Sequence, residues 1–142
     1  MTEVKIKDHR RTIIRSLAVW LLIIVAEILH GILRAIVLVP IVGEFRSNQI
    51  GVLTGSAIIF AIAHLTIRWI GAKRAYELLL VGFIWLVLTV AFEVLFGRFV
   101  VGLSWERIAS GYNVLNGGLM PLGLVVLFLI PMIVSKLRTN RK

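Results

Sequence analysis

The chain has 142 residues, 59% hydrophobic and 16% charged, where soluble domains have about 45–50% and about 25%. It has no cysteine, which excludes disulfides, iron–sulfur clusters, thiolate zinc sites and cysteine nucleophiles. The net charge of +9 would suit nucleic acid, but the basic residues stand in the gaps between long apolar runs, which argues for membrane flanks instead.

Four apolar runs, about residues 16–42, 50–70, 76–103 and 118–137, each approach or exceed the ~20 residues that cross a hydrocarbon core. They predict an all-α integral membrane protein, a four-transmembrane-helix bundle forming a single domain over 1–142, with basic tails 1–15 and 138–142. Lys5, Lys7, Arg10, Arg11 and Arg15 precede the first run. Arg68, Lys73 and Arg74 lie between the second and third, and Lys136, Arg138, Arg141 and Lys142 close the chain. Four alternating spans put these three segments on one side, so both termini are expected in the cytoplasm, against anionic lipid headgroups. The first run exceeds a ~7–15-residue signal core and lacks a cleavage site, so it is read as a retained span.

In chain order, residues 1–15 are expected on the cytoplasmic surface, with His9 solvated. The first helix should run to about Val39, where Pro40 and Gly43 end it. Its stretch Trp20–Arg34 carries Glu27, His30 and Arg34 at spacings of three and four, on one helical face. A polar loop 43–49 makes a tight antiparallel hairpin. The second helix has a stripe of Gly51, Thr54, Ala57, Ala61, His64 and Arg68, which should turn His64 toward protein. Gly51 and Gly55 form a small-residue pair suited to close helix approach. After the turn 71–74, the third helix carries Gly82, Leu86, Thr89, Glu93 and Gly97 on one face. Arg98 lies off that face and should reach the outer interface. Ser104 is a candidate N-cap and Gly111 a stop for a short interfacial helix, with Trp105 and Tyr112 in the headgroup zone. The fourth helix should start at Gly118, tolerate Pro121, and lose a backbone bond to Leu127 at Pro131.

The stretches WLLIIVAEILHG from Trp20 and WLVLTVAFEVLFG from Trp85 coincide at Trp, Leu, Val, Ala, Glu, Leu and Gly if Phe92 is an insertion. Each is followed by an arginine, Arg34 or Arg98. A duplicated hairpin repeated in one orientation would make Glu27 and Glu93 equivalent, at similar depth.

Carboxylates at mid-bilayer cost roughly 2.5–3.5 kcal/mol to insert and usually have work to do there. Glu27 and Glu93, facing one another in a low dielectric, would not readily ionise together, which suits proton or ion binding. His30 and His64 would assist, and Arg34 and Arg98 would compensate charge. A purely structural network is the competing reading, with Glu27 bonded to His30 and Glu93 reaching His64, Thr54 or Thr89. Glu27-x-x-His30 has diiron spacing, but Phe96 stands where the second histidine should be, so no metal is expected. His30 and His64 differ in height by about 12 Å, too far for one haem, and no other cofactor is implied. No nucleotide loop or hydrolase motif occurs. The favoured function is a small ion- or proton-linked transporter or channel of the bacterial inner membrane, possibly a homo-oligomer. An accessory subunit of a larger membrane complex is second, and an enzyme on lipid substrates a distant third.

Overall fold

The computed structural model describes residues 2–141 and is all-helical, with no strand among them. Helix α1 spans Thr2–Val37, α2 Val39–Val42, α3 Glu44–Ile70, α4 Ala75–Phe99, α5 Trp105–Tyr112 and α6 Met120–Thr139, with a 3-10 turn at Val114–Asn116. Helices α1, α3, α4 and α6 are the four long and apolar enough to cross a membrane. Only about a fifth of each apolar window is buried in the protein (17–22%). Leu21, Leu29, Leu33, Leu53, Leu65 and Phe83 all point outward. A surface so apolar needs lipid against it.

Several boundaries differ from the sequence reading, for one reason: polarity does not end a helix. Residues 2–15 form no separate surface tail. No proline or glycine interrupts the chain before Gly31, so α1 runs unbroken for 36 residues, about 54 Å at 1.5 Å per residue. Its first turns therefore overhang the bundle. His9 is not free in solvent: its ring stacks on Tyr76 at 5.9 Å. The expected loop 43–49 shrinks to Gly43, whose φ of +80° makes the turn, and α3 starts at Glu44. Pro40 sits in the first turn of α2, where its missing N–H costs nothing. Helix α4 ends at Phe99, short of Leu103, and α6 starts at Met120, after the left-handed Gly117. Pro131 is fully buried and α6 continues through it.

Helix α1 packs on α3 and α4, and α6 packs on the same two, so the four spans form a ring. The α1–α4 seam is tied by two indoles. Trp20 Nε1 donates to Thr89 Oγ1 at 3.1 Å and Trp85 Nε1 to the Ser16 carbonyl at 3.0 Å. Both bonds join residues 69 apart. Along this seam Trp85 is thus level with Ser16, one turn behind its repeat counterpart Trp20. Between α4 and α6 the backbones touch at Gly82 and Phe128.

The core lies toward one end. Val19 and Ile23, Ala63 and Ile67, Val81 and Trp85, and Ile130 and Val134 fill the half of the ring that holds the chain ends and the Gly71 turn. At this end Arg15 Nη1 donates to the Trp69 carbonyl at 2.6 Å, and its guanidinium lies 5.0 Å from the Trp69 ring. That cation meets the negative C-terminal end of α3. The other half of the ring, beneath α2 and α5, is where the polar side chains gather.

Candidate functional site

Glu27, His30 and Arg34 continue the buried α1 series Ser16, Val19 and Ile23 by the same three-and-four spacing, so they face α3. Because the chain turns at Gly43, the facing residues of α3 are Gly55, Thr54 and Gly51. The two glycines do not bring backbones together here. They make room for side chains. A Cβ at Gly55 would stand 2.8 Å from Glu27 Oε2, and one at Gly51 would stand 2.8 Å from Arg34 Cδ.

His30 Nδ1 faces Glu27 Oε2 at 3.4 Å, and His30 Nε2 faces Thr54 Oγ1 at 2.8 Å. The hydroxyl proton of Thr54 is used on the Ile50 carbonyl, at 2.9 Å. With that proton so used, Thr54 accepts when the imidazole is protonated on Nε2, the tautomer that turns Nδ1 toward the carboxyl group. The other carboxyl oxygen, Glu27 Oε1, is buried without a hydrogen-bond partner among the described residues. Farther along the face, Arg34 Nη1 donates to Asn48 Oδ1 at 2.5 Å and to Ser47 Oγ at 3.2 Å.

Glu93 on α4 is half-buried and within electrostatic reach of Glu27. Its bond is not to His64, Thr54 or Thr89. Tyr112, from α5, donates to its Oε2 at 3.5 Å. Burial, then the neighbouring Glu93, push the Tyr112 phenol up to about 12. Arg98 turns away, as its spacing implies: it donates to the Leu103 carbonyl at 3.2 Å and lies 5.5 Å from the Trp105 ring.

His64 is not part of this cluster. It stands ten residues beyond Thr54 on α3, about 15 Å along the axis. Its ring stacks on Phe60 at 6.2 Å, with Nδ1 buried and unpartnered among the described residues. The expected small-residue stripe lies only partly on the packed face: Gly51 and Thr54 meet Arg34 and His30, and its later members turn away. Thr54, Ala57, Ala61 and Arg68 are exposed, while Ser47, Gly55, Ala63, Ile67 and Ile70 are buried. The series is spaced by threes and fours, but its two opening threes, 51 to 54 to 57, already carry it about 120° around the helix. The described residues hold no group of three or more potential metal ligands.

The sequence reading missed Ser47, Asn48 and the partnership of Tyr112. The first two were assigned to a loop. Pairing positions across a turn at Gly43 sets Arg34 opposite Val52, and only the reach of its long side chain brings it to Ser47 and Asn48. Nothing local signals that Tyr112 meets Glu93. Comparison with known protein families, with characterised proteins and with solved structures gives no match.

Proposed function

We propose that this chain is a small proton-linked carrier, with Glu27 and His30 holding the transferred proton and Glu93 as the second carboxylate. One observation carries the reading: Glu27 Oε2 and His30 Nδ1 face one another at 3.4 Å, beside a buried carboxyl oxygen with no partner among the described residues. A network serving only to fix helix register would be expected to satisfy that oxygen. Ionisable groups facing a membrane bundle's interior act in function by default. The apolar half of the ring, closed by Trp85, Ile23 and Val134, supports a carrier that must change shape over an open channel. His64 is a proton acceptor on the far side of the cluster, reached after such a change.

In this reading both termini lie in the cytoplasm of a bacterial inner membrane. The overhanging start of α1 with Lys5, Lys7, Arg10 and Arg11, and the last residues of the chain, meet anionic headgroups. The hairpins α1/α3 and α4/α6 are a duplication whose copies have slid by one turn along the α1–α4 seam. Single cysteines replacing Arg46 and Arg74 test the orientation. Only the first should label with an impermeant reagent on intact cells, and labelling of the second inverts it.

The carrier itself is tested in proteoliposomes. Glu27→Gln should abolish proton-linked flux while the helical signal and melting temperature are kept. Unchanged flux removes the carboxylate mechanism. An accessory-subunit reading rests on the outward series Thr54, Ala57 and Ala61, small residues on which a partner helix could close. A stoichiometric partner retained in gentle purification from native membranes would bring it forward.

A further inference from the structure

Arg34 has no carboxylate within ion-pair distance among the described residues, although it sits half-buried in a membrane helix. Only Nη1 is bonded, to the neutral oxygens of Asn48 and Ser47. Nε and Nη2 meet no acceptor among the described residues. A guanidinium offers five N–H donors in one plane, so most of this one is unused.

Its two partners are left in a matching state. Asn48 presents its amide oxygen to Arg34, which turns the NH2 away as a free donor. Ser47 is completely buried and spends its oxygen on Arg34, so it holds the guanidinium from behind. Asn48 and Ser47 thus both spend an acceptor on Arg34, whose own guanidinium has donors only. The guanidinium is held in place by packing over Gly51, where a Cβ would stand 2.9 Å from Nε. Asn48 is exposed, so the group can be reached.

We infer that Arg34 and Asn48, with buried Ser47 holding the guanidinium, form a binding site for a small oxyanion group, a carboxylate, sulfate or phosphate. Planar donor sets of this kind suit such groups, and an arginine fork binds two of their oxygens at once. As the solute that travels with the proton, the anion rests on the carrier reading above; as a binding site it stands independently of it. The same oxyanion could come from a free solute or from a lipid headgroup.

Equilibrium dialysis with radiolabelled sulfate tests this on the full chain, purified in an uncharged, phosphate-free maltoside. Sulfate keeps one charge state from pH 5 to 8, so its binding reads the site. The wild type should bind saturably, near one per chain, and Arg34→Gln should bind at least tenfold more weakly. Gly51→Ala, which pushes the guanidinium aside, should weaken binding severalfold, as should Asn48→Ala. These two decide the matter if Arg34→Gln does not fold. Dihexanoyl-phosphatidylglycerol is the lipid arm. Displacement of sulfate by it identifies a headgroup seat, and sulfate binding that it leaves untouched identifies a free solute. No saturable binding of either probe, or wild-type affinity in all three variants, overturns the site. Glu27→Gln keeps the two readings apart: unchanged flux with intact sulfate binding ends the carrier and leaves the anion site standing.

Discussion

An alanine Cβ at Gly82 would run into the backbone carbonyl of Phe128 on α6, and neither backbone can yield without moving a whole helix. At Gly55 the obstacle is the carboxylate of Glu27, the far end of a flexible side chain. The two glycines therefore answer to different demands. Gly82→Ala should cost about 1–3 kcal/mol, the range of overpacking, and lower the melting temperature. Gly55→Ala gains up to about 1 kcal/mol of helix propensity and should melt at or above the wild type. It should nonetheless lose most proton-linked flux, because it moves Oε2 away from His30 Nδ1. Equal melting with wild-type flux in Gly55→Ala would show that the position of Glu27 does not matter. Neither role could be read locally. Gly51 and Gly55 have the spacing of a helix–helix contact, yet the glycine that makes one is Gly82, which has no such partner spacing.

Helix α5 is the element whose start the sequence marks best: Ser104 caps it by accepting from the Arg107 amide at 3.2 Å, while the helix runs through the expected stop Gly111 to Tyr112. Elsewhere the same reading set boundaries at changes in polarity, and α1 and α3 ignored them because their polar residues are good enough helix formers. Three contacts fasten α5 to the spans: an ion pair from Arg107 to Glu44, Trp105 beneath Arg98, and Tyr112 on Glu93. The last gives α5 a pH dependence with a definite sign. The Tyr112 phenol, ordinarily near 10, is pushed up to about 12 in the fold, by burial first and the Glu93 charge second. The folded state then holds that proton more tightly than the unfolded one. Its contribution is whole below about pH 10 and falls away as the pH rises to about 12. Absorbance at 295 nm should show one phenol ionising near pH 12, and the wild type should lose melting temperature across that window. Tyr112→Phe should abolish the late ionisation and flatten the loss. A phenol that titrates with the same late midpoint in Tyr112→Phe would assign it to Tyr76 and detach α5 from Glu93.

Across the whole molecule, the ring divides by height into a dry half and a polar half. The four-span count, the face of Glu27, His30 and Arg34, and the outward turn of Arg98 are all legible in the sequence, because each follows from spacing within one helix. The division is not, because it depends on which helices touch. Ala63 looks like one more small residue of α3, but it is fully buried, in one core cluster with residues of α1, α4 and α6. Thr54, nine positions earlier, stands exposed with only its hydroxyl engaged. In the proposed orientation, the polar half opens outward and is wet while the other is sealed. Single cysteines at Thr54 and Ala63, on a chain with none of its own, measure this directly. An impermeant maleimide on intact cells should label Thr54→Cys and leave Ala63→Cys unmodified. Acidifying the medium should leave Ala63→Cys protected unless proton loading opens the sealed half, which a carrier requires at some point in its cycle and a static scaffold does not. Protection of Thr54→Cys under every condition, with Arg46→Cys labelled normally, would mean that the polar half is closed by lipid or protein. Water would then not reach Glu27 from that side, and the carrier would lose its outer entrance.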